Sequence, residues 1–307
     1  MNVLANAANA MTSEWVKHLR AALDEDGWQW DWSARAASAA GGAVLPARGR
    51  ECGAKVIAKA PGIWAGEQGA RAVARVADEL GLELEVSGVR ADGTRVMPGD
   101  IVCLWSGGAD AVLALERPFL NLASYVSGIA TETARFVAAV ASAGGSRKAP
   151  RVTPTRKTYP GYRALAVHGV LCGGGHPHRT SLSGGVLLKE NHIALAGSVG
   201  AAIQAAREVA PHLLKVGVEV RDLKELGEAL SAGAEAILLD NFTPDEIRKA
   251  VEKVRSSGVR TVLEASGGIT PENAADFAVD GLDVISSGAL THSVRALDLS
   301  LLVSHSA

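Results

Sequence analysis

The stretch Glu235–Thr270, EAILLDNFTPDEIRKAVEKVRSSGVRTVLEASGGIT, decides how the chain is organised. A short apolar run ends on Asp240-Asn241, and a polar turn follows. Thr243-Pro244 with Glu246 then combines an N-cap, a proline at the first helical position and a capping box. After the helix a second apolar run closes on Ser266-Gly267-Gly268. The same unit recurs on both sides: VLLKENH precedes SVGAAIQAAREVA, LKVGVEV precedes DLKELGEALSAG, and RTVLEASGG precedes TPENAADFAVDG, where Thr270-Pro271 repeats the helix-start signal. LDVISSG closes the series. Strands buried on both faces and separated by helices predict parallel βα units, in a barrel or in an open doubly wound sheet. Polar residues stand at the C-terminal end of nearly every strand (Lys189, Glu219, Asp240, Ser266 and Ser287), which favours a barrel whose strand ends share one mouth. An open sheet would use mainly the ends beside its switch point.

Working outward, Trp15, Leu19 and Leu23 lie at helical spacing and predict an amphipathic helix over 13–24, capped by Ser13. Between Lys55 and Ser106, β-type runs alternate with turn signals such as Asp92-Gly93 and Pro98-Gly99. One helical pattern, EQGARAVARVADELG, interrupts them, so a small α+β domain is expected. The Ala-rich run AVLALERPFLNLASYVSGIATETARFVAAVASA predicts a long buried helix, and GGSRKAP, Gly144–Pro150, a surface connector.

At 307 residues, with 48% hydrophobic and 21% charged residues, a sizeable core is expected. The net charge of −2 gives no global attraction to nucleic acid or anionic membrane, so any anion binding must be local. Cys52, Cys103 and Cys172 are odd in number and far apart, which argues against a disulfide framework and for a reducing cytoplasm. No leader pattern and no membrane-length apolar run is read from the sequence.

Several residue groups at the expected mouth carry chemistry. Glu219 and Asp240 on neighbouring strands could bind a hard cation through oxygen, or act as caps and salt-bridge partners. Ser266-Gly267-Gly268 and Ser287-Gly288-Ala289 offer unhindered backbone N–H groups near helix starts, a setting that suits phosphate. Lys189 and His192 belong to the same mouth. The stretch TRKTYPGYRALAVHGVLCGGGHPHR adds Arg156, Lys157, Arg163, His176, His178 and Arg179. Guanidinium forks suit carboxylates and phosphates; a solvated basic loop is the better reading of an isolated Arg-Lys pair, but not of a cluster just before a mouth with glycine loops and carboxylates. His176-x-His178 lacks a third ligand pattern for zinc. His168, His212 and His305 are read as core or surface residues.

Taken in order, TRKTYPGYRAL, GGGHPHR, LLKENHI, VEV, LLDN, EASGGIT and SGALTHS, with ERPFLNLASYVSGIAT upstream, resemble the quinolinate phosphoribosyltransferase family, over roughly residues 55–303. The resemblance implies an α/β chain with an N-terminal α/β sandwich followed by an incomplete, open TIM-like α/β barrel. The expected domains are 1–130, with 293–307 returning to it, and 131–292. It implies phosphoribosyl transfer from 5-phosphoribosyl 1-pyrophosphate to quinolinate with decarboxylation, giving nicotinate mononucleotide in NAD biosynthesis, with Mg2+ accompanying the pyrophosphate. It also implies a homodimer or higher oligomer whose site is shared, Arg117 coming from the partner subunit. By motif, Thr155, Arg156, His178, Arg179 and Lys189 contact substrate, and Lys157 stands beside the reacting centre. Glu219 and Asp240 serve ribose and metal, and the residues 266–268 and 287–289 form phosphate loops.

The chain departs from the family pattern at Pro154, where Asp is common, at Tyr159, where Thr is usual, and at Gly217, where an acidic residue often stands. The usual Asp shortly before Lys189 is also missing. These changes keep two alternatives open: a paralogue acting on another pyridine, and an anion-binding protein without turnover. Intact Lys157, Lys189, Glu219 and Asp240 favour the enzyme.

Overall fold

The computed structural model describes residues 2–33, 51–143 and 149–305. They fall into two compact units, each with its own sheet.

The first unit holds the described parts of Met1–Thr131, Ala164–Gly173 and Val294–Ala307. Its four-stranded sheet has the order β12-β1-β5-β3, formed by β1 (Glu51–Ala58), β3 (Leu84–Ser87), β5 (Ile101–Gly108) and β12 (Leu299–His305), all paired antiparallel. β2 (Gly62–Ile63) and β4 (Arg95–Val96) form a separate small ladder. Burial along β1 alternates, as one face on the core and one on solvent require. Helix α1 runs Asn2–Asp26, about a dozen residues longer than its apolar spacing predicts. Ser13 is therefore no cap: its hydroxyl bonds back to the Asn9 carbonyl at 3.0 Å inside the helix. Trp15, Leu19 and Leu23 are buried as expected, and α1 packs on α2 (Glu67–Glu79). A Cβ at Gly69 would stand 2.7 Å from the Trp15 ring, so the helices approach through that glycine. Phe119 packs edge-to-face on Trp64 and tilted against Trp105 of β5, all three buried.

The long helix α3, Ala109–Ser142, spans the predicted Ala-rich run and carries Pro118 inside it. Helix α4, Arg163–Cys172, was expected with the second domain; from Ala164 onward it packs in the first unit instead. The reason is steric: a Cβ at Gly169 would lie 2.8 Å from the Val126 carbonyl, a closeness that only glycine allows. The connector Gly144–Pro150 falls largely outside the described residues.

The second unit, comprising the described parts of Glu132–Arg163 and Gly174–Ser293, carries a parallel six-stranded sheet. In sheet order its strands are β6 (Arg151–Thr153), β11 (Val284–Ser286), β10 (Val262–Ser266), β9 (Ala236–Asp240), β8 (Val216–Val220) and β7 (Val186–Leu188). Every adjacent pair is parallel, and the edge strands β6 and β7 are not paired with each other, so the barrel is open. β6 was not foreseen, because three residues carry too little alternation to be read as a strand.

The helices between strands follow the predicted signals unevenly. At α8 (Pro244–Ser257) the Thr243 hydroxyl accepts from Glu246 N and the Glu246 carboxylate accepts from Thr243 N, the full capping box. α7 (Leu223–Ser231) is capped by Asp222 and α6 (Val199–Val209) by Ser198. An unforeseen helix, α5 (Glu190–Ala196), begins immediately after Lys189. Thr270-Pro271 starts no helix: Asn273 Oδ1 accepts from Thr270 N, and only α9 (Ala274–Phe277) follows. α10 (Ala289–His292) is equally short. Among the described residues no helix is long and apolar enough to cross a membrane.

Replacing Trp15 by Ala removes a wholly buried indole against a glycine that cannot fill the gap. A loss of about 3–5 kcal/mol in unfolding free energy is expected, measured by chemical denaturation.

Candidate active site

The register of the parallel ladder builds the site. Ser266 on β10 pairs with Asp240 on β9, and Glu219 on β8 lies beside Leu238, so these polar side chains converge at the C-terminal edge of adjacent strands. They line a cavity of about 710 Å³, within the usual range for small-molecule sites. Thr155, Arg156, Lys157, His178, Arg179, Lys189, Ser266–Gly268 and Ser287–Ala289 line it as well. Arg117 does not; it is exposed on α3, its nearest ion-pair partner being Glu116 at 3.6 Å.

The cationic side of the cavity is crowded. Arg179 Nη1 donates to the Gly185 carbonyl at 2.8 Å, while burial and the neighbouring Arg156 charge push its guanidinium pKa down. Arg156 Nε is buried with no hydrogen-bond partner within the protein. Two guanidiniums held together, one with an unsatisfied buried donor, are stabilised by an anion between them. Arg163 holds this arrangement in place from behind, donating to the carbonyls of Arg156 and Thr180 and to the Thr158 hydroxyl. It is a backbone clamp and does not line the cavity.

His178 uses both ring nitrogens inside the protein. Nδ1 accepts from Arg179 N at 2.8 Å, so in the neutral ring Nε2 carries the proton and donates to Glu264 at 3.3 Å. Glu264 was overlooked in the sequence because it sits mid-strand in EAS, where nothing distinguishes an inward carboxylate from an ordinary strand residue. His292 also lines the cavity unforeseen, within THS after the second glycine loop. His176 is exposed and lies outside the lining, as does Tyr159. His192 Nδ1 accepts from Lys189 N at 3.0 Å, closing the start of α5 rather than facing the cavity.

On the acidic side Lys189 Nζ donates to Glu219 at 2.6 Å. Asp240 accepts from Asn241 Nδ2 at 2.9 Å, and burial together with the nearby Glu219 charge raises its pKa; Lys189, Asn241 and Lys157 act in the opposite direction. Asn241 adopts φ 58°, a left-handed conformation that asparagine tolerates. Gly267 makes this possible: at φ 103° its Cβ would collide with the Asn241 amide oxygen. The Ser287 hydroxyl is committed to the Ile269 carbonyl at 2.8 Å, tying the two glycine loops together. Since α9 and α10 are a single turn each, the loops offer anions local N–H groups rather than long helix dipoles. At Gly217 an added Cβ would lie 3.2 Å from the Val186 carbonyl, so β8 runs close to β7 there.

An open parallel barrel with clustered guanidiniums, paired acids and two glycine loops at one set of strand ends defines an enzyme site for a multiply anionic substrate. The family models for the quinolinate phosphoribosyl transferase C-terminal domain, residues 129–302, and N-terminal domain, residues 43–127, both match. The chain belongs to the quinolinate phosphoribosyl transferase family. It is 41% identical to the probable nicotinate-nucleotide pyrophosphorylase [carboxylating] of Archaeoglobus fulgidus, over 81% of this chain and 93% of that protein. Against the human nicotinate-nucleotide pyrophosphorylase [carboxylating] the identity is 40%, over 81% of both. The solved nicotinate-nucleotide pyrophosphorylase of Francisella tularensis superposes with a TM-score of 0.83 at 31% identity, covering 95% of this chain and 97% of that one.

The raised Asp240 pKa gives a signed expectation. Its folded value lies above its unfolded one, so the ionised carboxylate destabilises the fold, fully above the folded value and not at all below the unfolded one. Asp240→Asn, measured without divalent cations, is therefore expected to raise the melting temperature near neutral pH. The gain shrinks on acidification and vanishes below the ordinary Asp range, about pH 3.9.

Proposed function

We propose that this chain transfers the phosphoribosyl group of 5-phosphoribosyl 1-pyrophosphate to the ring nitrogen of quinolinate and releases pyrophosphate and carbon dioxide, yielding nicotinate mononucleotide for NAD synthesis. The observation that carries this reading is the Arg156–Arg179 pair. Its buried, unpartnered donor and mutual repulsion suit a dianionic ligand, opposite carboxylates suited to a developing cation.

Arg156 and Arg179 hold the pyridine dicarboxylate, with Lys157 beside the reacting centre and the Thr155 hydroxyl accepting from Lys157 N at 3.1 Å. His178 is a positioning group here, since Glu264 and Arg179 N occupy its nitrogens. Breaking the ribose C1–oxygen bond builds oxocarbenium character, which the Glu219 and Asp240 carboxylates favour. The quinolinate nitrogen lone pair forms the new bond to C1 as the C1–oxygen pair leaves with pyrophosphate, so no serine or cysteine nucleophile is needed. The ring nitrogen is then cationic, and the electron pair left by departing carbon dioxide is stabilised next to it until a proton replaces the carboxyl group. Placement and exclusion of water are the protein's share.

The donor set of Glu219 and Asp240, two neighbouring carboxylates that repel each other, fits Mg2+. When bound, that ion would neutralise the pyrophosphate charge. The loops 266–268 and 287–289 take the phosphates. We further propose a homodimer in which Arg117 of one protomer completes the other's site, its exposed position on α3 being suited to reach a partner. A reducing cytoplasm suits the three cysteines, all unbridged; burial pushes the Cys103 thiol up to about 12.

Purified protein given quinolinate, 5-phosphoribosyl 1-pyrophosphate and Mg2+ is expected to form nicotinate mononucleotide and carbon dioxide in equal amounts. Turnover with nicotinate alone would identify a paralogue, and quinolinate binding without product a non-catalytic protein. Arg179→Ala is expected to raise the quinolinate KM by about 10–100-fold, as loss of a charge-assisted bond worth roughly 1.5–3 kcal/mol implies. Mixing inactive Arg117→Ala and Lys157→Ala protomers under conditions of demonstrated exchange is expected to recover part of the activity; no recovery refutes the shared site.

A further inference from the structure

In the first unit, outside the cavity described above, three side chains of different chemistry converge. Asp92 lies in the turn before β4, and His168 and Cys172 lie one turn apart on α4. Their ligand atoms all fall within 4.8 Å of one another. His168 Nε2 stands 3.0 Å from Asp92 Oδ2 and 3.5 Å from Cys172 Sγ. One ring nitrogen offers either one proton or one lone pair, so it can make one good hydrogen bond and not two at once. A central ion satisfies all three atoms together. In a tetrahedral site with bonds of about 2.0–2.3 Å, neighbouring ligand atoms are about 3.3–3.8 Å apart; the 3.5 Å between His168 and Cys172 falls in that range and the 3.0 Å between His168 and Asp92 lies just below it.

The surroundings hold these atoms in place. Asp92 Oδ1 accepts from Glu67 N at 2.9 Å and Asp92 N donates to Glu67 Oε2 at 3.2 Å, which leaves Oδ2 directed at His168. Gly93, at φ 82°, lets the turn press on the end of α4, where its Cβ would lie 3.3 Å from the Cys172 carbonyl. The cluster is partly buried, with side-chain exposures of 14% for His168 and 16% for Asp92. Three protein ligands would leave the fourth position of a tetrahedral ion to solvent. Among the described residues no other group of three such side chains comes this close together.

We propose that Asp92, His168 and Cys172 form a binding site for a divalent transition ion of the zinc class, which ties the 91–94 turn to helix α4. The mixed sulfur, nitrogen and oxygen set selects zinc-class ions over magnesium, which prefers oxygen alone. Binding releases the thiol proton to solvent as sulfur becomes a thiolate ligand. The site is separate from the Glu219–Asp240 pair, whose donors are oxygen only, and its test does not depend on the catalytic reading.

The test is Co2+ titration of the full-length protein, followed by ultraviolet and visible absorption, with metal content determined after Zn2+ loading and desalting. We expect a thiolate-to-Co2+ charge-transfer band and visible bands of tetrahedral intensity at one equivalent, both removed by competing Zn2+. Cys172→Ser should abolish the charge-transfer band. His168→Ala should weaken Co2+ binding by more than the roughly 10–100-fold that loss of an outer hydrogen bond costs. Cys172→His, which keeps a ligand, should retain Zn2+ while losing the charge-transfer band, and circular dichroism checks that each variant is folded. A native protein that shows no charge-transfer band at saturating Co2+, or a band that survives Cys172→Ser, overturns the proposal.

Discussion

Everything at the cavity depends on the parallel register of β7 to β11. Because parallel strands point the same way, their C-terminal ends form one edge, and residues far apart in the chain become neighbours there. Asp240 and Ser266 are direct partners in the ladder although a whole helix separates them in sequence. The backbone hydrogen bonds that fix this register are made whether or not a ligand is present, so the polar side chains are placed in advance of binding. The capping box at Thr243 and the glycine at position 267 set where each connection leaves its strand, and with it the direction of Asp240 and Asn241.

That placement concentrates opposing charges in one hollow. Arg156 and Arg179 repel one another on one side, and Glu219 and Asp240 on the other. Lys189 on Glu219 and Asn241 on Asp240 relieve part of the strain from within the protein. A site of this kind is poorer in stability than an apolar barrel mouth would be, and it recovers that loss by binding a ligand of matching charge. At a smaller scale Asp92, His168 and Cys172 also bring ligand-type atoms from separate segments within 4.8 Å of one another.

Much of this was legible in the sequence, and the gaps have specific causes. The βα units were marked by apolar runs and by caps such as Thr243-Pro244, and the strand-end residues Glu219, Asp240 and Ser266 followed from them. β6 was hidden by its length, and Thr270-Pro271 misled because the cap signal precedes a turn closed by Asn273. Arg163 and His192 looked like site residues by proximity in sequence, yet the fold turns them to backbone support. Glu264 carried no local signal, since its importance comes from His178, which lies 86 positions away.

By itself the sequence determined the alternating β and α elements, the residues at the strand ends and the family to which the chain belongs, because periodicity, caps and motifs are local properties of the chain. Only the tertiary structure decided that α4 packs in the first unit, and that His178 serves Glu264 and Arg179 instead of standing free. It also decided that His168, which read as an ordinary core or surface histidine, meets Asp92 and Cys172. Each of these rests on contacts between segments distant in the chain, where steric fit at positions such as Gly93 and Gly169 chooses among arrangements that local patterns leave equal.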